Sequence, residues 1–581
     1  MGSLRVKAFG GMNPRLGRTL GDPSIASIAL NTKLWSGTVA PFYYPHQVAT
    51  TEECAQKIFK HNNCWLTSQN PCASFATGDV GCDIVYSTDV AEWPAYAHVG
   101  DCECGSEPQA VEWKRLGVPT PINAPTIVSS VAPSMHERDF QLERAYKAEP
   151  VAYVYTLVDS EGREGGPSPL SEGVVIENGT DVTMTIDPSF VGSGWDVANI
   201  RIYKFTSATD DLLVANDMAR GYLFVKEIEY SAGPISFTDD VPEVELGQGF
   251  LTKNYQPPPS KLSGIISLPD GVLVGFESHR LWFSEPWDYH AWTCYLDLDD
   301  CIKSIEHAMG FIYVATDGHP YTISAASPAE DCRCCRDVYR HIESFPIGCS
   351  NSMVSIGNGV VYASRDGLVR LQNNSTTLIT HKFMAEDDWH AWRPETIRGA
   401  YFKGKYVCFS DRIDSLGDHH GVKASGFVFD FGNSAYAEGD IGAGSNLYAH
   451  NLAGNTFFLD KQGFMFYASE HGIFQWESGN APMDYVWRSR LNDEHGFTGY
   501  TAAKVVAEKH SQYQEFGKPV ELTVFADGEV IANRQVTNGK SFRLPRCKKG
   551  IDYEVEIRGN VEIREIHLGG SIYDLTLVSN T

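Results

Sequence analysis

Between Leu262 and Trp476 one local pattern recurs five times, and a repeat of this kind leaves few folds open. The turns Asp270-Gly271, Met309-Gly310, Asn358-Gly359, Lys403-Gly404 and Gln462-Gly463 each precede an apolar or β-branched stretch: Val272 to Phe276, Phe311 to Thr316, Val360 to Ala363, Lys405 to Phe409 and Phe464 to Ala468. A second turn then follows, at Ser278-His279, Asp317-Gly318, Asp366-Gly367, Asp411-Arg412 and His471-Gly472. Glycine in such turns supplies the positive φ that two-residue hairpins require. The glycines lie 39, 49, 45 and 59 residues apart, near the roughly 40 to 50 residues of a four-stranded propeller blade. One blade cannot bury both of its faces, whereas blades arranged radially bury each other. The expectation is an all-β chain with a propeller from about Gln256 to Trp476, closed by strands from outside that window.

At 581 residues the chain exceeds the size of one hydrophobic core. Its 53 Gly and 29 Pro fit many short strands and turns. Residues 1–145 read as an N-terminal arm and platform region, with a proline-stiffened linker at Val118 to Pro125. Residues 146–252 read as a fibronectin-III-like β-sandwich, because Tyr153 to Val158, Val182 to Ile186 and Ile200 to Ile202 alternate among about seven short strands. Residues 253–480 form the propeller core, and residues 481–581 a C-terminal β domain that closes the platform or the propeller.

The formal charge of −26 argues against a protein that grips nucleic acid through its phosphates. No secretory signal and no run of 18 apolar residues occurs, which leads to the expectation of a cytosol-like compartment, no membrane insertion, and 14 cysteines held mostly as thiols. Cys332, Cys334, Cys335, His341 and Cys349 include one C-x2-C pair but no second pair at zinc-site spacing, so buried thiols are favoured over zinc. Asp418-His419-His420 reads as a solvated loop. Ser364-Arg-Asp-Gly367 reads as a hairpin turn rather than a sialidase aspartate box. No carboxylate pair is fixed at glycosidase spacing, and no P-loop, nucleophile elbow or H-E-x-x-H occurs. The expectation is a non-enzyme without cofactor.

Phe9-Gly-Gly-Met-Asn-Pro-Arg15, Ala29-Leu-Asn31 and Leu34-Trp-Ser-Gly37 with Pro41 resemble the N-terminal signature of the tail nozzle proteins (tail tubular protein B) of short-tailed bacteriophages. Tyr153-Val-Tyr-Thr156 through Gly165-Gly-Pro-Ser-Pro169, with Ile200-Arg-Ile-Tyr203, resembles the inserted sandwich of that family, and Leu281-Trp-Phe-Ser-Glu-Pro286 with Trp287 and Trp292 its first blade. The resemblance implies a virion tail component assembled in the host cytoplasm: a homo-hexameric ring below an adaptor or portal-side ring, carrying tail fibres or spikes and passing double-stranded DNA without gripping it. Phe9, Met12, Asn13, Pro14, Arg15, Asn31, Leu34 and Trp35, in an aromatic arm without periodicity, are then expected at oligomer or adaptor contacts. An acidic lumen would keep DNA centred, with Asp297, Asp299, Asp300, Glu386, Asp387, Asp388, Asp411, Asp414 and Asp418 as candidate lining. The rival class is a propeller that binds or depolymerises host-surface carbohydrate.

Overall fold

All five X-Gly turns occupy the same place. In the computed structural model, which describes residues 4–576 except 16–22, 79–82, 101, 103–106, 109, 132–148, 177–179, 193, 207–220, 243–244, 327–333, 418–420, 432–445, 471, 509–512 and 546–548, each turn joins the first and second strands of a four-stranded antiparallel sheet. Gly271, Gly310, Gly404 and Gly463 hold φ between 77° and 83°, the left-handed region the turns demand. In the remaining turn Gly357 takes that role, with φ 89°.

Sheet II consists of Ser263–Ser267, Leu273–Glu277, Arg280–Phe283 and Cys294–Asp297. Sheet III is Ile302–Ala308, Phe311–Thr316, Tyr321–Ser324 and Val338–Arg340. Sheet IV is Val354–Ser355, Val360–Ala363, Leu368–Gln372 and Ser375–Leu378. Sheet V is Arg398–Phe402, Lys405–Phe409, Gly426–Asp430 and Asn446–His450. Sheet VI takes Thr456–Leu459, Met465–Ser469 and Gly472–Gln475 from the repeat, and its outer strand, His46–Thr50, from the N-terminal region. A hairpin, Lys57–His61 with Cys64–Ser68, and sheet I, made of Ser74–Thr77, Ile84–Thr88, Ala95–His98 and Lys114–Arg115, fill the gap between sheets VI and II.

Apolar packing closes the circle. Ile58 and Trp65 of the hairpin pack on Phe466 and Ile473 of sheet VI, and Leu66 packs on Val85 of sheet I. Tyr86 and Tyr96 meet Leu273 and Trp292; Val274 and Leu281 meet Ile312 and Ile323; Tyr313 meets Val360 and Tyr362. Sheets IV, V and VI share one large core, in which Phe409 stacks on Phe457 at 4.2 Å. Because both faces of each blade are covered, middle strands such as Val360–Ala363 and Gly426–Asp430 are buried at every position and lack the alternation of a half-wet strand. The chain is a β-propeller, and the described residues build it from six four-stranded blades and one two-stranded hairpin.

The closing strands come from the N-terminal region, so the division of the chain shifts. Residues 46–115 belong to the propeller, and the platform is built from residues 4–41 together with 485–569. Leu4–Val6 pairs with Ile563–Gly569, which pairs with Ala502–Ala507. Ala26–Leu30 inserts between Asn446–His450 of sheet V, touching it in parallel at Leu30 and Ala449, and Tyr485–Ser489, which it meets antiparallel. The sheet continues through Gly550–Gly559 and Glu515–Ala526 to Glu529–Asn538, nine strands from propeller to platform, and Asn492–Thr498, paired with Gly550–Gly559 beside this path, is the tenth. In it the Arg488 Nε donates to Glu556 at 2.7 Å, with both side chains buried.

The sandwich leaves between sheets I and II. Its three-stranded sheet is Thr126–Val131, Asp181–Ile186 and Ile235–Asp239, and its four-stranded sheet is Val174–Ile176, Glu149–Val158, Asn199–Thr206 and Tyr222–Glu229. It is clamped to the propeller. Gly117 (φ 98°) brings the outgoing linker against Pro257 of the returning one, where a Cβ would lie 2.8 Å from the proline ring. Lys114 pairs with Asp196 at 2.9 Å, His98 with Glu161 at 2.7 Å, and the Arg115 guanidinium lies 3.8 Å from the Trp195 ring centre.

Two expectations are corrected. Cys64–Cys102 and Cys294–Cys334 are disulfides, and Cys335 is also disulfide-bonded, leaving Cys54, Cys72, Cys301, Cys349 and Cys408 as the free thiols among the described residues. A two-stranded hairpin has little core of its own, and the Cys64–Cys102 bond across 38 residues ties it to the chain that leaves the third strand of sheet I, worth about 4 kcal/mol in loop entropy. The N-terminal arm is not left for a neighbour to cover either. Phe9 is buried, edge-on to Trp487 at 4.7 Å, and Met12 is buried with its N–H on Leu447 O at 2.7 Å. Asn31, buried at φ 55°, donates from its side chain to Asp484 O at 3.0 Å and accepts from the Asn451 N–H at 3.1 Å. Leu34 is buried, the Asn13 carbonyl accepts from Arg490, and Arg15 reaches the carbonyls of Phe383 and His381; Pro14 and Trp35 are exposed.

Removing Phe9 therefore acts on the fold. Phe9→Ala is expected to lower the unfolding free energy of the isolated chain by about 3 to 5 kcal/mol in urea titrations. An unchanged midpoint would mean that the arm is not part of this core.

Candidate functional site

The first strands of the six blades and of the hairpin run around one axis, and they enclose a cavity of about 810 Å³. A pocket of this size suits a small molecule. Phe59, Phe75, Phe276, Phe457 and Met353 give it apolar walls. Its charged lining is Lys57, Lys303, Arg365 and Arg398 against Asp89, Glu306 and Asp317. Lys303, Asp317 and Arg365 are exposed and form the rim. Each is placed because an inner strand turns alternate side chains to the axis, and because the turns between second and third strands bring Asp89, Asp317 and Arg365 to the same end.

Some of these charges are matched. Lys303 Nζ lies 3.7 Å from Asp317, and an Arg398 terminal nitrogen donates to Asp411 at 2.8 Å, while Arg398 Nε is buried without a partner. Burial pushes the Lys57 ammonium below its ordinary pKa, opposed by the nearby Cys349 and Cys72 sulfurs. Among the described residues Lys57 has no hydrogen-bond acceptor. Burial also pushes the Glu306 carboxyl up to about 7, against one hydrogen bond from the His307 N–H at 3.1 Å. Asp89 is raised by burial too, and its Oδ2 is buried without a hydrogen-bond partner.

A second cavity of about 700 Å³ lies between the sandwich and sheet II, and its polar groups are tied to one another. Arg201 pairs with Glu164 at 3.1 Å, Tyr203 donates to Glu164 at 2.7 Å, and His290 bonds Glu164 O at 3.1 Å. This is a clamp, and it holds the sandwich in place.

The acidic residues singled out from the sequence are not on the propeller axis. Asp297 ends the outer strand of sheet II, paired with Arg280 at 2.6 Å; Asp299 and Asp300 lie 3.9 and 3.5 Å from Arg340. Glu386, Asp387 and Asp388 sit on the short helix Glu386–His390, anchored by buried Trp389, whose indole donates to Ser364 O at 3.0 Å. Asp411 neutralises Arg398, Asp414 is exposed, and Asp418 lies outside the described residues, as do His419 and His420. Ser364 to Gly367 form a hairpin turn, closed by Ser364 Oγ on Gly367 O at 2.9 Å. The possible zinc ligands are dispersed: Cys334 is bonded to Cys294, and His341 contacts Thr322 and Thr376 at 2.9 and 2.7 Å. Among the described residues no three His, Cys, Asp or Glu side chains are grouped to hold a metal ion, and no helix is long and apolar enough to cross a membrane. The charged axial residues escape sequence reasoning because they are scattered: Lys57, Lys303 with Glu306, and Arg398 stand on three inner strands, and Asp89, Asp317 and Arg365 in turns between strands.

No protein-family profile matches the sequence. No curated protein matches it. Among solved structures, the computationally designed protein Ika8 is similar at 9% identity over 74% of this chain and 99% of its own, with a TM-score of 0.26. The WD40 domain of Neurospora crassa Pan2 is similar at 10% identity over 53% and 86%, with a TM-score of 0.23, and Saccharomyces cerevisiae Sqt1 at 9% over 78% and 100%, with 0.24. Similarities this weak carry no argument, and the fold rests on the sheets themselves.

The Glu306 carboxyl gives the cavity a pH signature. Between about pH 4.5 and 7 the unfolded chain releases this proton while the folded chain keeps it, so stability falls as pH rises through that window and the cost is constant above it. Glu306→Gln is expected to leave stability near pH 4 unchanged and to raise it at pH 8 by as much as about 3 kcal/mol, measured by urea denaturation. A gain that is the same at both pH values would contradict the assignment.

Proposed function

We propose that the chain is a subunit of the tail nozzle of a short-tailed bacteriophage, a structural ring that extends the DNA-ejection channel and supports tail fibres or spikes. The observation that carries this reading is the ten-stranded sheet that makes one body of the propeller and a platform built from both chain ends. A load-bearing ring needs subunits that do not flex between domains, and a sheet shared by propeller and platform, the apolar core common to both and the clamped sandwich supply that stiffness. The nozzle-like segments fall on distinct parts of this body: Phe9 to Met12 in the platform core with Pro14 and Arg15 at its surface, Tyr153 to Thr156 in the sandwich and Leu281 to Pro286 on sheet II. Six copies would meet head to tail, with an adaptor or portal-side ring above.

With the arm buried, ring contacts fall to the surface, where Trp35, Tyr43 and Tyr44 are exposed. The peripheral carboxylates Asp297, Asp299, Asp300, Glu386, Asp387, Asp388, Asp411 and Asp414 would then lie where a lumen between subunits can use them to repel DNA.

Negative-stain electron microscopy of the purified chain, alone and on tail particles, is expected to show closed six-fold rings. A monomer in solution together with its absence from the tail channel would overturn the reading.

A further inference from the structure

The axial cavity is an electrostatic exception in this protein. The chain carries 73 Asp and Glu against 47 Lys and Arg, yet the cavity is lined by four Lys or Arg side chains and three carboxylates. Two of those cations are balanced, Lys303 by Asp317 and Arg398 by Asp411. Asp89, with one carboxylate oxygen buried and unpartnered, is shifted toward its neutral form by burial, and Glu306, which sits deeper on the Ile302–Ala308 strand, is held largely protonated at slightly acid pH. What remains facing the cavity is the ammonium of Lys57 and the rim guanidinium of Arg365, above walls of Phe59, Phe276 and Phe457.

An enclosed cation without an acceptor is costly, and a bound oxyanion removes that cost with charge-assisted hydrogen bonds. Aromatic walls beside it favour a flat apolar group over water. The second large cavity lacks this combination, because its arginines are already bonded to carboxylates.

We propose that the propeller axis is a binding site for a small organic oxyanion, a carboxylate or phosphate monoester attached to a flat apolar group, with Lys57 holding the anion, Arg365 at the rim and the phenylalanines around its body. The site is complete within one chain, so it goes beyond the nozzle reading and stands or falls independently of ring assembly.

The test uses the full chain with benzoate and phenyl phosphate as probes, and with phenol, benzylamine and inorganic phosphate as controls, by isothermal titration calorimetry. Benzoate or phenyl phosphate is expected to bind with a dissociation constant of about 1 mM or lower, and the controls at least about tenfold more weakly. Which of the two binds better distinguishes a carboxylate from a phosphate site. Lys57→Met is expected to weaken binding at least about tenfold, and Lys57→Arg to restore most of it. A readout on the unaltered protein guards against a variant that fails to fold. Cys72 lines the cavity and is exposed, so bound probe should slow its alkylation by a maleimide while leaving Cys301 unaffected. No binding by either probe, preference for benzylamine, or binding that leaves both Lys57→Met affinity and Cys72 reactivity unchanged would overturn the proposal.

Discussion

The union of propeller and platform depends on one strand of five residues. Ala26–Leu30 has one edge on sheet V of the propeller and the other on Tyr485–Ser489 of the platform, partners more than 400 residues away along the chain. Its side chains are equally committed, with Ala26, Ile28, Ala29 and Leu30 buried. Without this strand two sheet edges would face each other with unpaired N–H and C=O groups, which is unfavourable in a buried setting and prone to mispairing in an exposed one. The strand therefore converts two β domains into one body.

The same economy of edges governs the propeller. The repeat supplies three strands of sheet VI, and His46–Thr50 completes it, so the last blade is held by a segment that precedes the first. The hairpin Lys57–His61 with Cys64–Ser68 is too small to be stable alone, and it gains from three sides: packing on sheet VI, packing on sheet I and the Cys64–Cys102 bond. Closing the circle in this way leaves an axial space whose lining is set by seven strands at once, which is how Lys57 and Glu306 come to share a cavity.

Local chemistry was legible in the sequence and distant pairing was not. The X-Gly turns declare themselves because each encodes a hairpin within a dozen residues, and all five join first to second strands. The alternation of Tyr153 to Val158 marked the sandwich for the same reason. Sheet I and the hairpin escaped because their strands are only two to five residues long, although Asn62-Asn63, both at positive φ, carries a turn signal of its own. Ala26–Leu30 is a plain apolar pentapeptide, and nothing in it names its partners. The aromatic arm was aperiodic because it is threaded through a core made by other segments. A segment threaded in this way and one awaiting a neighbour look alike in sequence, since neither carries a period. The acidic clusters are conspicuous in sequence because they are contiguous and solvated, and the axial charges are inconspicuous because they are scattered over three inner strands and three turns.

Hydrogen–deuterium exchange of the isolated chain, read by mass spectrometry on peptides covering residues 26–30, 446–450 and 485–489, addresses the joining strand directly. The expected result is that all three segments are strongly protected, to the level of the propeller core at Gly426–Asp430, and that they lose protection together as denaturant is raised. Rapid exchange at Ala26–Leu30 while its two neighbours stay protected would show that propeller and platform are separate bodies, and would contradict the account.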